Sequence, residues 1–402
     1  MDDLGILVPL LLEVKVVTPI HIGTGDKLSR KAFFEDGRNV IVVDDRKLID
    51  WASADEKRVY EFMEFMERPE RPEQGLADFL RRHSATPESF AAYQMRQDAP
   101  SRPRDILQFI KTSENRPYLP GSSLKGSLGS ALARGYLAMK PAQRDIVAQA
   151  VRPIVREKRR DPGGEADAAI FVPKRDVKRG KRPNYTLMRA FGLGDSRSVS
   201  ATKLEVAEVR VLSAQTDQTL RFKQTPRGDH VMQIFAEMLK PDTVLFVPLT
   251  LNWMLLDDKG PAAELGLRPQ RQMVGSFWKY ARAAADDLLQ QELRFYEQHH
   301  QAGLAEQCRK LQERSSKLPD YAFLLRIGWG GGYDAKTITD QLSEDIFRMT
   351  VENYRNTHGL GKPGGSGRWL GPELSPKSRK VVYHGEDNVA PIGWLEIRAR
   401  GR

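Results

Sequence analysis

The chain has 402 residues, with 63 lysines and arginines against 53 aspartates and glutamates, a formal charge of +10 and a pI near 9.5. That length suffices for two to three domains with a sizeable core, and 40% hydrophobic with 29% charged residues excludes wholesale disorder. No run approaches the ~18 apolar residues of a membrane helix, the Met-Asp-Asp start lacks signal-peptide features, and the single cysteine, Cys308, excludes an intrachain disulfide and a cysteine zinc site.

The expectation from these quantities is a cytoplasmic protein without membrane contact, whose positive charge favours an acidic partner, nucleic acid first. Leu11 to Val17 alternates, with Leu12, Val14 and Val16 on one face, which predicts a half-buried strand. It runs into Ile20 to Asp26, a tight loop by its glycines. Phe33-Phe34, the turn Asp36-Gly37 and Val40 to Val43 predict a hairpin. Val59, Phe62, Met63 and Met66 have the spacing of a helix face, broken at Arg68–Pro72. Phe79 to Met95 reads as further short helix.

Pro117 to Gly121 makes a turn, after which Ser122 or Ser123 can cap a helix with Leu124, Leu128 and Leu132 on its buried stripe. Gly126 and Gly129 weaken that helix and suggest close approach of a backbone or ligand. Arg156 to Pro183 is dense in basic residues with little periodicity and reads as a mobile basic loop. Strands are predicted at Lys203–Leu212, Thr219–Lys223, Val244–Trp253, Phe323–Ile327, Lys380–Tyr383 and Ile392–Ile397. Met273 to Lys317 is helical with a break near Gly303. A helix carrying Ile338, Leu342, Ile346 and Met349 precedes a glycine-rich linker, Gly359–Gly367. Strands and helices without regular alternation predict an α+β fold.

Three glycine-rich loops could admit a phosphate: Gly23–Gly25, Gly121–Ser127 and Gly328–Gly332. None fits a nucleotide-binding signature, which argues against an ATPase or dinucleotide enzyme and predicts no cofactor. His21 is a candidate general base without a paired acid, and Asp26 and Asp36 are candidate Mg²⁺ or phosphodiester-positioning residues, each also an ordinary turn residue. The histidines are otherwise scattered, and no resident metal site is predicted. In the basic tract, Lys174, Arg175, Lys178 and Arg179, with Phe171 and Tyr185 nearby, suit a phosphate track with occasional stacking.

Two blocks carry a family resemblance. Leu12–Gly25 reads Leu-Glu-Val-Lys-Val-Val-Thr-Pro-Ile-His-Ile-Gly-Thr-Gly, and Arg116–Ser130 reads Arg-Pro-Tyr-Leu-Pro-Gly-Ser-Ser-Leu-Lys-Gly-Ser-Leu-Gly-Ser. In order and spacing they resemble the RAMP superfamily of CRISPR proteins. Gly129 stands where that family commonly has an arginine, for which Arg134 is a partial substitute. Leu325–Ile338 and Ala390–Ile397 resemble the family of fifth subunits of type III-A Csm effector complexes.

The resemblance implies two RRM-like (ferredoxin-like) units with helical insertions, 1–240 and 241–402. It implies a structural subunit that caps a filament of backbone subunits at the crRNA 3′ end and supports crRNA maturation and antiviral defence. Its partners would be crRNA, neighbouring Csm backbone subunits, target RNA and a recruited maturation nuclease. On this reading the three loops hold crRNA phosphates through Gly23, Gly25, Ser122, Ser123, Lys125, Ser127, Gly328, Gly330 and Gly331. Lys27, Arg30, Lys31, Arg134 and Lys336 neutralise charge, and His21, Trp329 and Tyr333 pack on sugars or bases. The alternative is a RAMP endoribonuclease using His21, Asp26 or Asp36.

Overall fold

The computed structural model describes residues 7–400 apart from 69–74, 160, 174–175, 216, 218, 359–374 and 386–387. The expected linker Gly359–Gly367 lies outside the described residues. In chain order the first half holds β1 (Leu7–Val16), β2 (Gly23–Ser29), β3 (Phe33–Asp36), β4 (Asn39–Val43), α1 (Asp45–Ser53), α2 (Glu56–Glu67), α3 (Leu76–Arg82), β5 (Ala91–Gln97), β6 (Asp105–Phe109), α4 (Gly121–Met139), α5 (Ala142–Arg156), α6 (Pro162–Phe171) and β7 (Phe191–Leu193). The second holds β8 (Leu204–Ala214), β9 (Leu220–Phe222), β10 (Ile234–Leu239), β11 (Val244–Asn252), α7 (Arg271–Gly275), α8 (Phe277–Gln298), α9 (Ala302–Ser316), β12 (Ala322–Arg326), α10 (Glu344–His358), β13 (Ser378–Tyr383), β14 (Val389–Pro391) and β15 (Trp394–Arg400).

The fold is α+β, as expected. One sheet has five strands in the order β12-β15-β1-β11-β7; the other has ten, with β2-β6-β10-β8-β5-β4-β3 as its path and β9, β13 and β14 attached. β1 is central in the smaller sheet because its alternating Val8, Leu12, Val14 and Val16 are buried. It is antiparallel to β11, with Leu12 opposite Val247, and to β15, with Val14 opposite Ile397. Chain from both sides of residue 240 builds both sheets, since β1 and β7 join the C-terminal strands and β13 and β14 join the N-terminal ones. The expected division at 240/241 therefore falls between elements that share sheets.

Several local expectations are corrected. The Ala91–Met95 part of the expected helix belongs to β5, paired with β4 through Val40 opposite Met95; Met95 is buried, so tertiary pairing overrides helix propensity. In α2 the inward residue is Phe65, stacked on Phe79 at 4.7 Å, while Met63 and Met66 stay exposed. The supposed basic loop contains α6, because Ala166, Ile170 and Phe171 are apolar enough to join the main core. Asp161 caps that helix, accepting from Gly164 N–H at 2.8 Å. The helical break after α8 falls at His299–Gln301, and the expected 338–349 helix is regular only from Glu344, with Ile338 and Leu342 beside a short 3-10 turn before it.

Buried ionic groups tie these layers together. Glu237 of β10 is fully buried; its carboxylate accepts from Tyr93 Oη at 2.5 Å, from Phe109 N–H at 2.7 Å and from Lys111 Nζ. Arg134 of α4 forms ion pairs with Asp287 of α8 at 2.5 Å and Asp340 at 2.6 Å. Glu292 of α8 holds Arg326 of β12 at 3.1 Å and Arg379 of β13 at 2.6 Å, and Arg379 also reaches Asp334 at 3.4 Å. Burial would raise the Glu292 carboxyl, but the two guanidiniums outweigh it and hold it below the usual range. At Asp334 burial wins over Arg379 and pushes the carboxyl up to about 6.

The helix pair α4/α8 meets at Gly135, where a Cβ would sit 1.8 Å from Tyr280 O. That close approach, rather than Gly126 or Gly129, is the one a side chain would break: Gly126 has open space around it and Gly129 faces only the flexible Met188 side chain.

Gly135→Ala is expected to cost at least about 1–3 kcal/mol, read as a lower unfolding midpoint in denaturant, because two helix backbones must separate. Gly126→Ala should gain up to about 1 kcal/mol in the same measurement. Lys111→Met is expected to cost about 3–5 kcal/mol, since it strands the buried Glu237 charge; a wild-type midpoint would refute the role given to that pair. Asp334 binds its proton more tightly folded than unfolded, so its stabilising effect is present below about pH 4 and lost as pH rises through about 6. Asp334→Asn should thus gain stability relative to wild type across that window, and a pH-independent difference would refute it.

Candidate nucleic-acid interface

The three glycine loops serve the protein first. His21 is only 3% exposed. Its Nδ1 donates to Glu237 O at 2.7 Å, and its ring packs edge-on against Phe109 and Trp329 at centroid distances of 6.1 and 5.7 Å. Burial lowers its pKa and so favours the neutral ring, against the opposing pull of Glu237. The expectations that His21 acts as a general base or stacks on RNA are corrected: the imidazole is sealed beneath the loop. Gly23 makes room for it, since a Cβ there would lie 2.6 Å from His21 Nε2. Gly25 is exposed with φ +98°.

Lys27, Arg30 and Lys31 follow on β2 and its exit, and each has an internal partner. Lys27 pairs with Asp105 at 2.7 Å, Arg30 donates to Pro103 O at 3.1 Å, and Lys31 donates to Arg68 O at 2.7 Å and to Met66 O. Asp26 and Asp36 are both exposed, Asp36 at the β3–β4 turn opposite Asn39. Among the described residues no group of three His, Cys, Asp or Glu side chains is arranged to hold a metal ion.

The second loop docks on residues 193–196. Gly121 N–H donates to Asp195 Oδ1 at 2.8 Å, and a Cβ at Gly121 would lie 2.5 Å from Leu193 O. Leu119 N–H donates to Ser196 Oγ at 2.9 Å. Pro120 is the residue that caps α4, so neither Ser122 nor Ser123 does. Ser122 is exposed, and Ser123, Lys125 and Ser127 are half-buried. Burial, with Arg189 nearby, lowers the Lys125 ammonium pKa, so two cations stand near this helix start.

The third loop lies directly on the first. Gly328 has φ +80°, and a Cβ there would lie 2.4 Å from His21 O, which accepts from Trp329 N–H at 2.8 Å. Gly330 packs on Ile392, Gly331 is buried, and Gly332, at φ +84°, faces open space. The half-buried Trp329 carries Lys380 Nζ over its ring at 5.1 Å, so that ring face holds an ammonium group instead of a base. Tyr333 Oη bonds Thr339 Oγ1 at 3.0 Å, and Lys336 is exposed. Arg134, expected to meet phosphate, is 3% exposed and committed to Asp287 and Asp340, which corrects that assignment.

In the basic tract Lys174 and Arg175 lie outside the described residues. Arg179 pairs with Asp161 at 2.7 Å and Arg182 with Glu165 at 2.8 Å, so part of the tract is internally neutralised. Lys178 and Lys181 are exposed.

Sequence reading missed Lys223, Lys377 and Lys380. Burial lowers the Lys380 ammonium pKa, and Lys336 and Lys223 lower it further; Lys377 is lowered likewise by burial and by Lys223. The residues are scattered along the chain, and only the strand pairing that joins them could have revealed the group.

The RAMP superfamily model matches residues 13–354. A Csm5 protein of the CRISPR system of Streptococcus thermophilus is 28% identical over 133 residues, a match spanning 30% of this chain and 37% of that relative's length. The crystal structure of T. onnurineus Csm5 has the same fold with a TM-score of 0.60 and 18% identity, covering 95% of this chain and 99% of that one. A chain of a cryo-EM Csm–crRNA–target RNA ternary complex of a type III-A CRISPR-Cas system matches with a TM-score of 0.62 and 21% identity, covering 98% of this chain and 100% of that one. With the family match extending from β1 into α10, across all three glycine loops and the helices between them, the chain belongs to the RAMP superfamily.

Proposed function

We propose that the chain is a structural, crRNA-binding subunit of a type III-A Csm effector complex, in the position of the fifth subunit. There it caps the backbone filament at the crRNA 3′ end and supports crRNA maturation and antiviral defence in the cytoplasm. The observation that carries the reading is the near end-to-end fold correspondence with a chain of a Csm–crRNA–target RNA complex. Two features support it: an excess of positive charge, and exposed or half-buried donors at the start of α4 (Ser122, Ser123, Lys125, Ser127). No helix among the described residues is long and apolar enough to cross a membrane.

Within this reading neighbouring Csm backbone subunits and crRNA are the partners, with target RNA and a maturation nuclease meeting the assembled particle. Contacts of this kind grip the sugar–phosphate backbone and are blind to spacer sequence. The buried, neutral His21 and the separate Asp26 and Asp36 favour a scaffold over the endoribonuclease alternative.

Purified chain is expected to bind unstructured RNA with log affinity falling linearly against log salt, by about 0.7 per phosphate contact. Co-expressed with the other Csm subunits and a CRISPR array, it should co-purify with them and crosslink to the 3′ portion of the crRNA. A flat salt dependence, or a complex in which it touches no RNA, overturns the RNA-binding reading. Cleavage of repeat RNA by the purified wild-type chain overturns the non-catalytic one.

A further inference from the structure

One face of the larger sheet is buried under strand and loop residues, with no helix residue in its cluster among the described side chains. Its buried centre, Ala207 and Val209 of β8, Ala236 and Met238 of β10 and Val382 of β13, is joined only by strand and loop residues, including Trp329 and Ile392. The strand register then places cations at its margin. Lys380 of β13 lies opposite Val211 of β8. On the other side of β8, Phe222 lies opposite Leu212, and Lys223 donates its N–H to Val211 O at 2.7 Å. Residues directly opposite in antiparallel strands point to one face, so Lys223 and Lys380 flank Val211 together.

Lys377, just ahead of β13, accepts from Ala214 N–H at 2.8 Å through its carbonyl, which fixes it beside the end of β8. Lys336 comes from the turn that follows the third glycine loop. Burial is the main cause that lowers the Lys377 and Lys380 pKa values; beyond it, Lys223 depresses both and Lys336 depresses Lys380, in line with the neighbourhood that the strand pairing sets. Among the described residues no carboxylate lies within ion-pair distance of any of the four, in contrast to Lys27, Arg134 and Arg179. Trp329 holds Lys380 in place through its ring. A set of like charges kept close without counter-charge is costly to the isolated chain and is relieved by a polyanion.

We propose that Lys223, Lys336, Lys377 and Lys380 form a phosphate-binding cluster that holds a single-stranded segment of RNA at the margin of this face of the larger sheet. Trp329 is its positioning residue: it fixes Lys380 and leaves base identity unread. The inference rests on the RNA-binding reading above and names a surface that none of the three glycine loops supplies alone. It favours RNA over an acidic protein because the four cations come from separate strand ends and a turn, and a flexible strand can bring successive phosphates to such scattered lysines.

The test is a salt series of RNA binding, by fluorescence anisotropy with an unstructured single-stranded RNA, on the full chain and on Lys→Gln variants. Each substitution should make the log–log slope shallower by about 0.7, and all four together by about 3. Lys57→Gln, on α2 and paired with Glu61, serves as the control and should leave the slope unchanged. The combined variant should melt no lower than wild type, because it loses like-charge repulsion and keeps most of each stem. A folded combined variant with the full wild-type slope overturns the proposal while leaving the RNA-binding reading intact. If that variant also loses co-purification with the other subunits, the cluster is assigned to an acidic protein surface instead. A wild-type chain that binds no RNA at any salt overturns both.

Discussion

The architecture depends on the contact between Gly328 and the main chain of His21. The carbonyl that Trp329 N–H reaches at 2.8 Å is the same one a Cβ at 328 would strike, so only glycine lets this hydrogen bond form at that spacing. The contact fixes the exit of β12 against the turn between β1 and β2. Behind it, Glu237 closes the arrangement from the other sheet: its carbonyl takes the His21 ring, and its carboxylate takes Tyr93, the Phe109 N–H and Lys111. Four segments remote in sequence thus converge on one buried polar network. Such a network tolerates little change, because each of its groups is satisfied only while the others are present. It also places the structure's key contacts at large sequence separation, where loop closure must precede any gain from the contact.

Much of this was legible in local pattern. The alternation of β1, the Phe33–Val43 hairpin, β8, β11 and the interrupted α8–α9 pair all follow from periodicity and turn residues, since each buries one face against a single neighbour. What failed did so for tertiary reasons. Ala91–Gln97 has no strong strand composition and becomes β5 because β4 offers it a partner and a pocket for Met95. In Arg156–Pro183 the charges mask a short apolar stripe that α6 buries.

At the site, the sequence pattern singled out three glycine-rich loops without showing what their glycines approach. A glycine that admits a phosphate and a glycine that admits a neighbouring carbonyl look alike in sequence, because both answer the same steric demand. Gly121, Gly135 and Gly328 meet protein backbone, with Leu193 O, Tyr280 O and His21 O respectively within 2.5 Å of the Cβ position. Gly25 and Gly332 have open space around them. Arg134 shows the same ambiguity for charge. Only the fold reveals that Asp287 and Asp340 converge on it and remove it from the surface.

The formal charge of +10 therefore says less than its distribution. Several of the conspicuous cations near the first glycine loop end on a carboxylate or a carbonyl, and the most buried arginines hold helices and strands together. The field that reaches solvent comes from groups left without local compensation, and Lys223, Lys336, Lys377 and Lys380 among them sit on a strand, at strand ends and in a turn whose sequence shows nothing unusual. A surface made this way acts over the range of a Debye length and responds to the charge density of its partner more than to its chemical detail. That is the behaviour a subunit needs if it must hold RNAs of many sequences in one geometry. On the proposed function, shape would be supplied by the rigid seam at Gly328 and His21 and attraction by cations at its margin, so neither task would require a side chain to read a base.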